Sequence, residues 1–187
     1  MSANDALIAN KLKMPGHVID LLKQSGIVSL YVFFGYLGHD RFGYGGIADV
    51  IGWVNGLSLA ALLLGGRRYL WGVLLGVLIS NVLIKDSVPG AISSSLASLV
   101  EALVGFGLLN CNRKFSPSLV TLPDYLRLIL LGGGVASMFG AATGIFSLQI
   151  AGLISSAHFW EYASLWWMGD TLGIVLAVPF IIAWQRK

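Results

Sequence analysis

The chain has 187 residues, of which 56% are hydrophobic and only 11% are charged, with a net charge of +3 and a single cysteine. Because an average soluble domain carries roughly 25% charged residues, this composition excludes an ordinary soluble enzyme, a disordered chain and a disulfide-stabilised secreted protein. The small net charge forms no basic stripe, so we expect no nucleic-acid partner. The composition predicts an all-α integral membrane protein embedded in the lipid bilayer.

Uncharged runs along the chain predict the membrane spans, since one crossing needs about 20 apolar residues. The runs cover residues 24–38, 50–66, 69–84, 87–112, 128–146 and 162–185, with Glu101 and Asp170 as the interruptions in the fourth and the last. We expect residues 147–156 to form a loop or a shallow re-entrant segment. Residues 1–20, with a possible helix at 6–12, form a cytoplasmic or interfacial segment without a secretory signal, and residues 21–187 form the membrane domain.

The charges between these runs predict the orientation of the bundle. If the N terminus is cytoplasmic, ten of the 12 lysines and arginines lie on the cytoplasmic side, which agrees with the positive-inside rule. These ten are Lys11, Lys13, Lys23, Arg67, Arg68, Arg113, Lys114, Arg127, Arg186 and Lys187, and the two outer cations are Arg41 and Lys85. We therefore predict a six-transmembrane-helix bundle with both termini cytoplasmic.

Small residues recur at every fourth position of the fifth span, at Gly132, Ala136, Gly140 and Gly144. Such spacing lets a neighbouring helix backbone approach closely in a membrane. Packing within one chain explains the pattern, and a homodimer seam is the alternative. Pro179 inside the last span is expected to kink that helix.

Two carboxyl side chains, Glu101 and Asp170, lie at membrane depth, where insertion scales put the cost of an aspartate at roughly 2.5–3.5 kcal/mol. Their predicted depths differ by about 6–9 Å, so both could line one cavity. No lysine or arginine lies at the same depth. The pair then either meets water, a cation or a ligand, or consists of neutral acids hydrogen-bonded to neighbouring polar groups. Asn81 in the third span is a candidate polar neighbour, although an interhelical hydrogen bond explains it equally well.

Two tryptophans precede Asp170 by four and three residues, so Trp166 and Trp167 border the same side of a helix. Indole rings beside a carboxylate suit a cation or a flat ligand, and interfacial anchoring is the alternative. The three histidines show no zinc-ligand spacing. Because no nucleophile–base set, phosphate loop or dinucleotide motif occurs, we predict no catalytic residue, no metal site and no enzyme, and the cofactor is unknown.

The final span resembles a known family. Trp166-Trp-Met-Gly-Asp-Thr-Leu-Gly173, followed by Val178-Pro179 and Trp184, resembles the closing helix of the type 1 membrane-associated sensor domain. Weaker matches are Trp53…Gly56-Leu-Ser-Leu-Ala-Ala-Leu-Leu-Leu-Gly-Gly-Arg67 with Gly72…Gly76, and Ser98-Leu-Val-Glu-Ala-Leu-Val-Gly105, so that the resemblance covers residues 50–186. The prolines usual after the second-span tryptophan are replaced by Val54 and Asn55.

The resemblance implies a multi-pass sensory domain of the bacterial inner (plasma) membrane that signals to a cytoplasmic output module, a histidine kinase or diguanylate cyclase. No output domain follows Lys187, which suggests a truncated input domain or a stand-alone relative. An unknown small-molecule ligand or cation is expected at Asp170, Trp166, Trp167, Glu101, Asn81 and Trp53. The alternative is a substrate-binding component of an energy-coupling-factor transporter, which is similar in size and layout. A membrane enzyme using Glu101 and Asp170 as acid and base lacks a supporting motif.

Overall fold

A computed structural model of the chain describes residues 15–44, 48–49, 51–84, 87–111 and 115–185, so the expected helix at residues 6–12 lies outside the described residues. The long helices are α1 (Gly16–Phe42), α2 (Trp53–Gly65), α3 (Leu70–Ile84), α4 (Val88–Cys111), α6 (Ser137–Ile150) and α7 (Phe159–Trp184), with the short α5 (Leu122–Arg127) between α4 and α6. A π-helical segment, Leu128–Ala136, joins α5 to α6, and 3-10 turns lie at Gly66–Tyr69 and Ser156–His158. A hairpin of two-residue strands, β1 (Gly43–Tyr44) and β2 (Ala48–Asp49), follows α1.

Five helical stretches of the described chain are long and apolar enough to cross a membrane. They are Gly16–Gly38, Trp53–Ile84, Val88–Cys111, Leu122–Ile150 and Ser156–Trp184. The prediction of an all-α membrane protein is confirmed by this architecture. The second stretch combines α2 with α3. The directions of these two helices therefore decide whether the stretch can cross a bilayer once or twice.

The stretch Trp53–Ile84 is not one straight helix, because the chain reverses direction near Gly66. Gly66 has φ 65°, a left-handed conformation that favours glycine. Asn81, near the end of α3, donates a hydrogen bond to Ser95 near the start of α4, so α3 and α4 are antiparallel. Helix α2 instead runs in the same direction as α7, with Gly52 beside Asp170 at one end and Leu63 packed with Ile182 at the other. Helices α4 and α7 are both antiparallel to α6, so α4 and α7 run in the same direction. Because α2 runs in the direction of α7 and α3 runs against α4, α2 and α3 run in opposite directions.

Helix α2 lies at the centre of the bundle. All its residues from Asn55 to Leu63 are buried, and it packs against α1, α4 and α7. Helix α1 packs against α3 and exposes most of its surface. The glycines of α3 allow this contact, because Gly72 lies against Gln24 and Gly76 against the ring of Tyr31. Burial of apolar side chains on both sides of α2 therefore fixes the positions of α4 and α7.

The sequence prediction for residues 147–156 is wrong in its first part, since α6 continues to Ile150. The hydroxyl of Ser147 donates to the carbonyls of Thr143 and Gly144 at 2.7 and 3.0 Å, so the serine is satisfied within the helix instead of ending it. Residues 151–155 form a turn, in which Gly152 has φ 72°. Pro179 lies inside α7, as predicted.

Candidate functional site

Two buried carboxyl groups meet in the middle of the bundle. The side chains of Glu101 on α4 and Asp170 on α7 lie within hydrogen-bonding range of each other, and the two residues are only 2% and 5% exposed. The hydroxyl of Ser137, the first residue of α6, donates to Glu101 Oε1 at 2.5 Å. Because a carboxylate only accepts hydrogen bonds, a hydrogen bond between the two groups requires a proton on one of them. These contacts join α4, α6 and α7 at one level.

The predicted difference in depth between the two carboxyls is wrong. Counted from the first residues of the observed helices, Val88 and Phe159, the carboxyls differ by two positions, about 3 Å along parallel helices. The error arose because α7 begins before the uncharged run from which its depth was counted. The structure therefore brings the two groups into contact, a closer arrangement than a shared cavity.

Apolar layers close the carboxyl pair on both sides. One helical turn toward the start of α7, the indole of Trp166 packs against Gly144 of α6 and Ala97 of α4. One turn in the other direction, the layer consists of Leu59, Gly105, Gly132, Ala136 and Ile174. The space beside the small residues of α6 and of the π-helical segment is thus occupied by side chains from other helices of this chain. This is the arrangement expected if the small residues serve packing within one chain.

Glycine backbones approach both carboxyls directly. A Cβ atom on Gly140 would lie 2.8 Å from Glu101 Cβ and 3.0 Å from Glu101 Oε2. A Cβ atom on Gly52 would collide with Asp170 Oδ1, and the Gly52 N–H donates to the carbonyl of Gly169 at 2.9 Å. The residues around the pair leave no room for a side chain at either position. Both positions are therefore restricted to glycine.

Two further polar groups are buried near the start of α2 and on α1. The hydroxyl of Tyr31 and Oδ1 of Asn55 are both buried and have no hydrogen-bond partner among the residues that the structure describes. The Tyr31 hydroxyl lies within electrostatic range of both Glu101 and Asp170. Neither Tyr31 nor Ser137 stands out in the sequence, where each is marked only by a polar group in an otherwise apolar run.

The remaining predicted site residues lie away from the pair. Asn81 Nδ2 donates a hydrogen bond to Ser95 Oγ at 3.2 Å. This is the hydrogen bond between helices that was the alternative explanation of Asn81. Trp53 lines a groove of about 440 Å³ between α1, α2 and α7, together with Phe34 and Trp184. Trp167 is 40% exposed and points to the π-helical segment. Of the six predicted residues, the structure groups Glu101, Asp170 and Trp166, and it does not bring the other three to the carboxyls.

Hydrogen bonds connect α7 to the π-helical segment beside the pair. Trp167 Nε1 donates to the carbonyl of Gly134 at 2.9 Å, and Thr171 Oγ1 donates to the carbonyl of Gly133 at 2.8 Å. A π-helical turn disturbs the regular hydrogen-bond ladder of a helix and is frequent at functional sites. The sequence marks this irregular segment by a run of three glycines, Gly132-Gly-Gly134.

Comparison with known proteins identifies a family. Residues 27–187 match the family model MASE1, a membrane-associated sensor domain of histidine kinases and diguanylate cyclases. The match covers α2 to α7 and thus both carboxyls, and it confirms the resemblance seen in the closing helix. It gives no support to the alternative of an energy-coupling-factor transporter component. No curated protein and no solved structure matches the chain.

Proposed function

Because the chain belongs to the MASE1 family of membrane sensory domains, we propose that it binds a small ligand or cation and signals to a cytoplasmic output module, a kinase or diguanylate cyclase. The observation that carries this proposal is the Glu101–Asp170 pair buried inside the bundle. Ionisable groups at membrane depth are costly and mark functional sites by default. The family's role is sensory, so the pair acts in ligand binding and the domain itself carries no catalytic step.

We propose six membrane crossings, with both termini in the cytoplasm of a bacterial cell. As a single straight helix, Trp53–Ile84 would be about 48 Å long, well beyond the 30 Å apolar core. The reversal at Gly66 and the opposite directions of α2 and α3 support two crossings in this stretch. The ten-to-two distribution of cations supports the orientation. Cysteines introduced at Arg68 and at Gly152 test it: only the second should react with a membrane-impermeant thiol reagent added to intact cells.

The ligand acts on the hydrogen bond between the two carboxyls. A cation, or a ligand with a cationic or donor group, replaces the proton that Glu101 and Asp170 share and takes both groups as oxygen ligands. The indole of Trp166, one turn toward the outer side in the proposed orientation, provides an aromatic face beside that position. The carboxyls must separate to admit the ligand, because Gly140 and Gly52 leave no free space around them.

Helix α7 transmits the change. It carries Asp170 and Trp166, and it is bonded to the π-helical segment through Trp167 and Thr171. A ligand shifts a two-state equilibrium only by its difference in affinity for the two states. Here the bound state separates α4 from α7, and the cytoplasmic end of α7 moves with it toward the output module.

Ligand identification with a stability assay tests the proposal. The full chain is purified in detergent, small molecules that copurify are identified by mass spectrometry, and each candidate and common metal cation is added to wild type and to Asp170→Asn. A ligand at 100 times its Kd stabilises the folded state by about 2.7 kcal/mol, which corresponds to roughly 5–11 °C in Tm for a chain of this size. This shift is expected in wild type and not in Asp170→Asn.

The matched control is Asp124→Asn. Asp124 is a carboxylate of α5, bonded to Thr121 and Arg127 and far along the chain from the pair. Its substitution should lower the starting Tm while leaving the ligand-induced shift intact. If no candidate raises the Tm of wild type more than that of Asp170→Asn, the ligand site at Asp170 is wrong.

A further inference from the structure

A groove opens at the end of the bundle where α2 meets α3. It lies between α2, α3 and α4 and has a volume of about 620 Å³, within the 300–1,000 Å³ typical of small-molecule sites. Its apolar wall consists of Leu62, Leu70, Leu103 and Phe106, and Arg67 and Asn110 lie at its polar end. The groove is separate from the Glu101–Asp170 pair, so an inference about it does not depend on the ligand proposed there.

The polar and apolar parts of the groove follow one another along the axis of α4. Arg67 lies in the 3-10 turn between α2 and α3, and Asn110 is the penultimate residue of α4. Leu103 precedes Asn110 by seven residues, so the two lie about 10 Å apart along α4. Helix ends lie at the level of lipid headgroups and the helix interior at the level of acyl chains. The groove therefore matches an amphiphile with a polar head and an apolar tail.

Arg67 supplies the charge at the headgroup end. It is exposed, and it forms no ion pair with any residue that the structure describes. A guanidinium group binds phosphate oxygens through paired, charge-assisted hydrogen bonds. The amide of Asn110 is also exposed at this end and can donate to the same oxygens. This combination favours an anionic phosphate group.

The direction in which the groove opens identifies the source of that phosphate. Leu103, on the apolar wall, is 43% exposed within a helix that is long and apolar enough to cross a membrane. A ligand that enters past Leu103 comes from the lipid phase. We propose that this groove binds an anionic phospholipid, with its phosphate on Arg67 and Asn110 and an acyl chain along Leu62, Leu70 and Phe106. In the proposed orientation this is a lipid of the cytoplasmic leaflet.

Native mass spectrometry of the purified full chain tests the proposal. The chain is titrated separately with phosphatidylglycerol, phosphatidylcholine and inorganic phosphate. We expect retention of phosphatidylglycerol, and a loss of about tenfold or more in affinity in Arg67→Ala, because a charge-assisted hydrogen bond is removed. Arg68→Ala is the matched control: this exposed neighbour does not line the groove and should bind like wild type. If Arg67→Ala does not fold, Arg67→Gln replaces it.

A second variant fills the groove without removing charge. Gly107 lines the groove, and a Cβ atom there would meet nothing within 4 Å, so Gly107→Leu places a side chain in the lipid's position. Gly26→Leu on α1 is its control, because that position is equally open and lies outside the groove. Gly107→Leu should abolish phosphatidylglycerol retention and Gly26→Leu should not.

Three results would overturn the proposal. Equal retention of phosphatidylglycerol and phosphatidylcholine would mean general lipid adhesion. Inorganic phosphate that displaces phosphatidylglycerol at equal concentration would mean a site for a soluble anion. Equal affinities in Arg67→Ala and Arg68→Ala, or in the two glycine variants, would mean that the groove is not the binding place.

Discussion

Replacement of Gly140 by alanine tests how tightly α6 packs on the carboxyl pair. The added Cβ would lie 2.8 Å from Glu101 Cβ, whereas carbon atoms pack best at about 3.5–4.0 Å. Either α4 and α6 separate by several tenths of an ångström or Glu101 leaves its bonds to Ser137 and Asp170. Overpacking of this kind costs about 1–3 kcal/mol, which for a chain of this size lowers Tm by roughly 2–12 °C.

Gly134→Ala is the matched control, in the adjoining π-helical segment. Its added Cβ would meet only the carbonyl oxygen of Ile129, at an ordinary 3.6 Å, so the change in stability should remain within about 1 kcal/mol. Both variants are compared by thermal unfolding of the purified chain in detergent. If Gly140→Ala is as stable as Gly134→Ala, the close approach of α6 to Glu101 is not a constraint and the account of the site's geometry fails.

Three further predictions concern single hydrogen-bonding groups, all measured by the same unfolding assay. Ser137→Ala leaves a buried oxygen of Glu101 without its donor and should cost about 1–3 kcal/mol, while Ser147→Ala, which loses bonds only within its own helix, should change little. Tyr31→Phe removes a buried hydroxyl that has no hydrogen-bond partner in the described part of the chain, so it should leave stability equal or raise it; a clear loss would mean that the hydroxyl binds something. Trp167→Phe keeps an aromatic ring but loses the bond to the π-helical segment, and we expect a loss of about 0.5–1.5 kcal/mol; no loss would argue against that link.

Much of the fold follows from composition and charge alone. The scarcity of charge predicts a bundle of membrane helices. The apolar run around Pro179 predicts that this proline lies inside α7, and the stripe of small residues predicts the close packing of α6. These features depend on local chemistry that repeats along each helix. The prediction for residues 147–150 failed because a serine hydroxyl can bond within its own helix, which composition cannot distinguish from a loop.

The site was only half predictable. Glu101 and Asp170 could be identified because acidic residues are rare inside apolar runs. Ser137 and Tyr31 did not stand out, because their roles come from the packing of α6 and α1 against other helices. Trp167 follows Trp166 in sequence, but a helix turns by about 100° per residue, and that rotation takes its indole from the pair to the π-helical segment.

We propose that α7 transmits the state of the carboxyl pair to its own end at Trp184. Spin labels on the native Cys111 at the end of α4 and on Gln185→Cys at the end of α7 report the distance between these ends. In Asp170→Ala, which breaks the pair, the distance distribution should shift by about 1–2 Å or more. In Asp170→Asn, whose amide can still donate to Glu101, it should stay near that of wild type. A distribution in Asp170→Ala that is the same as in wild type would contradict the account.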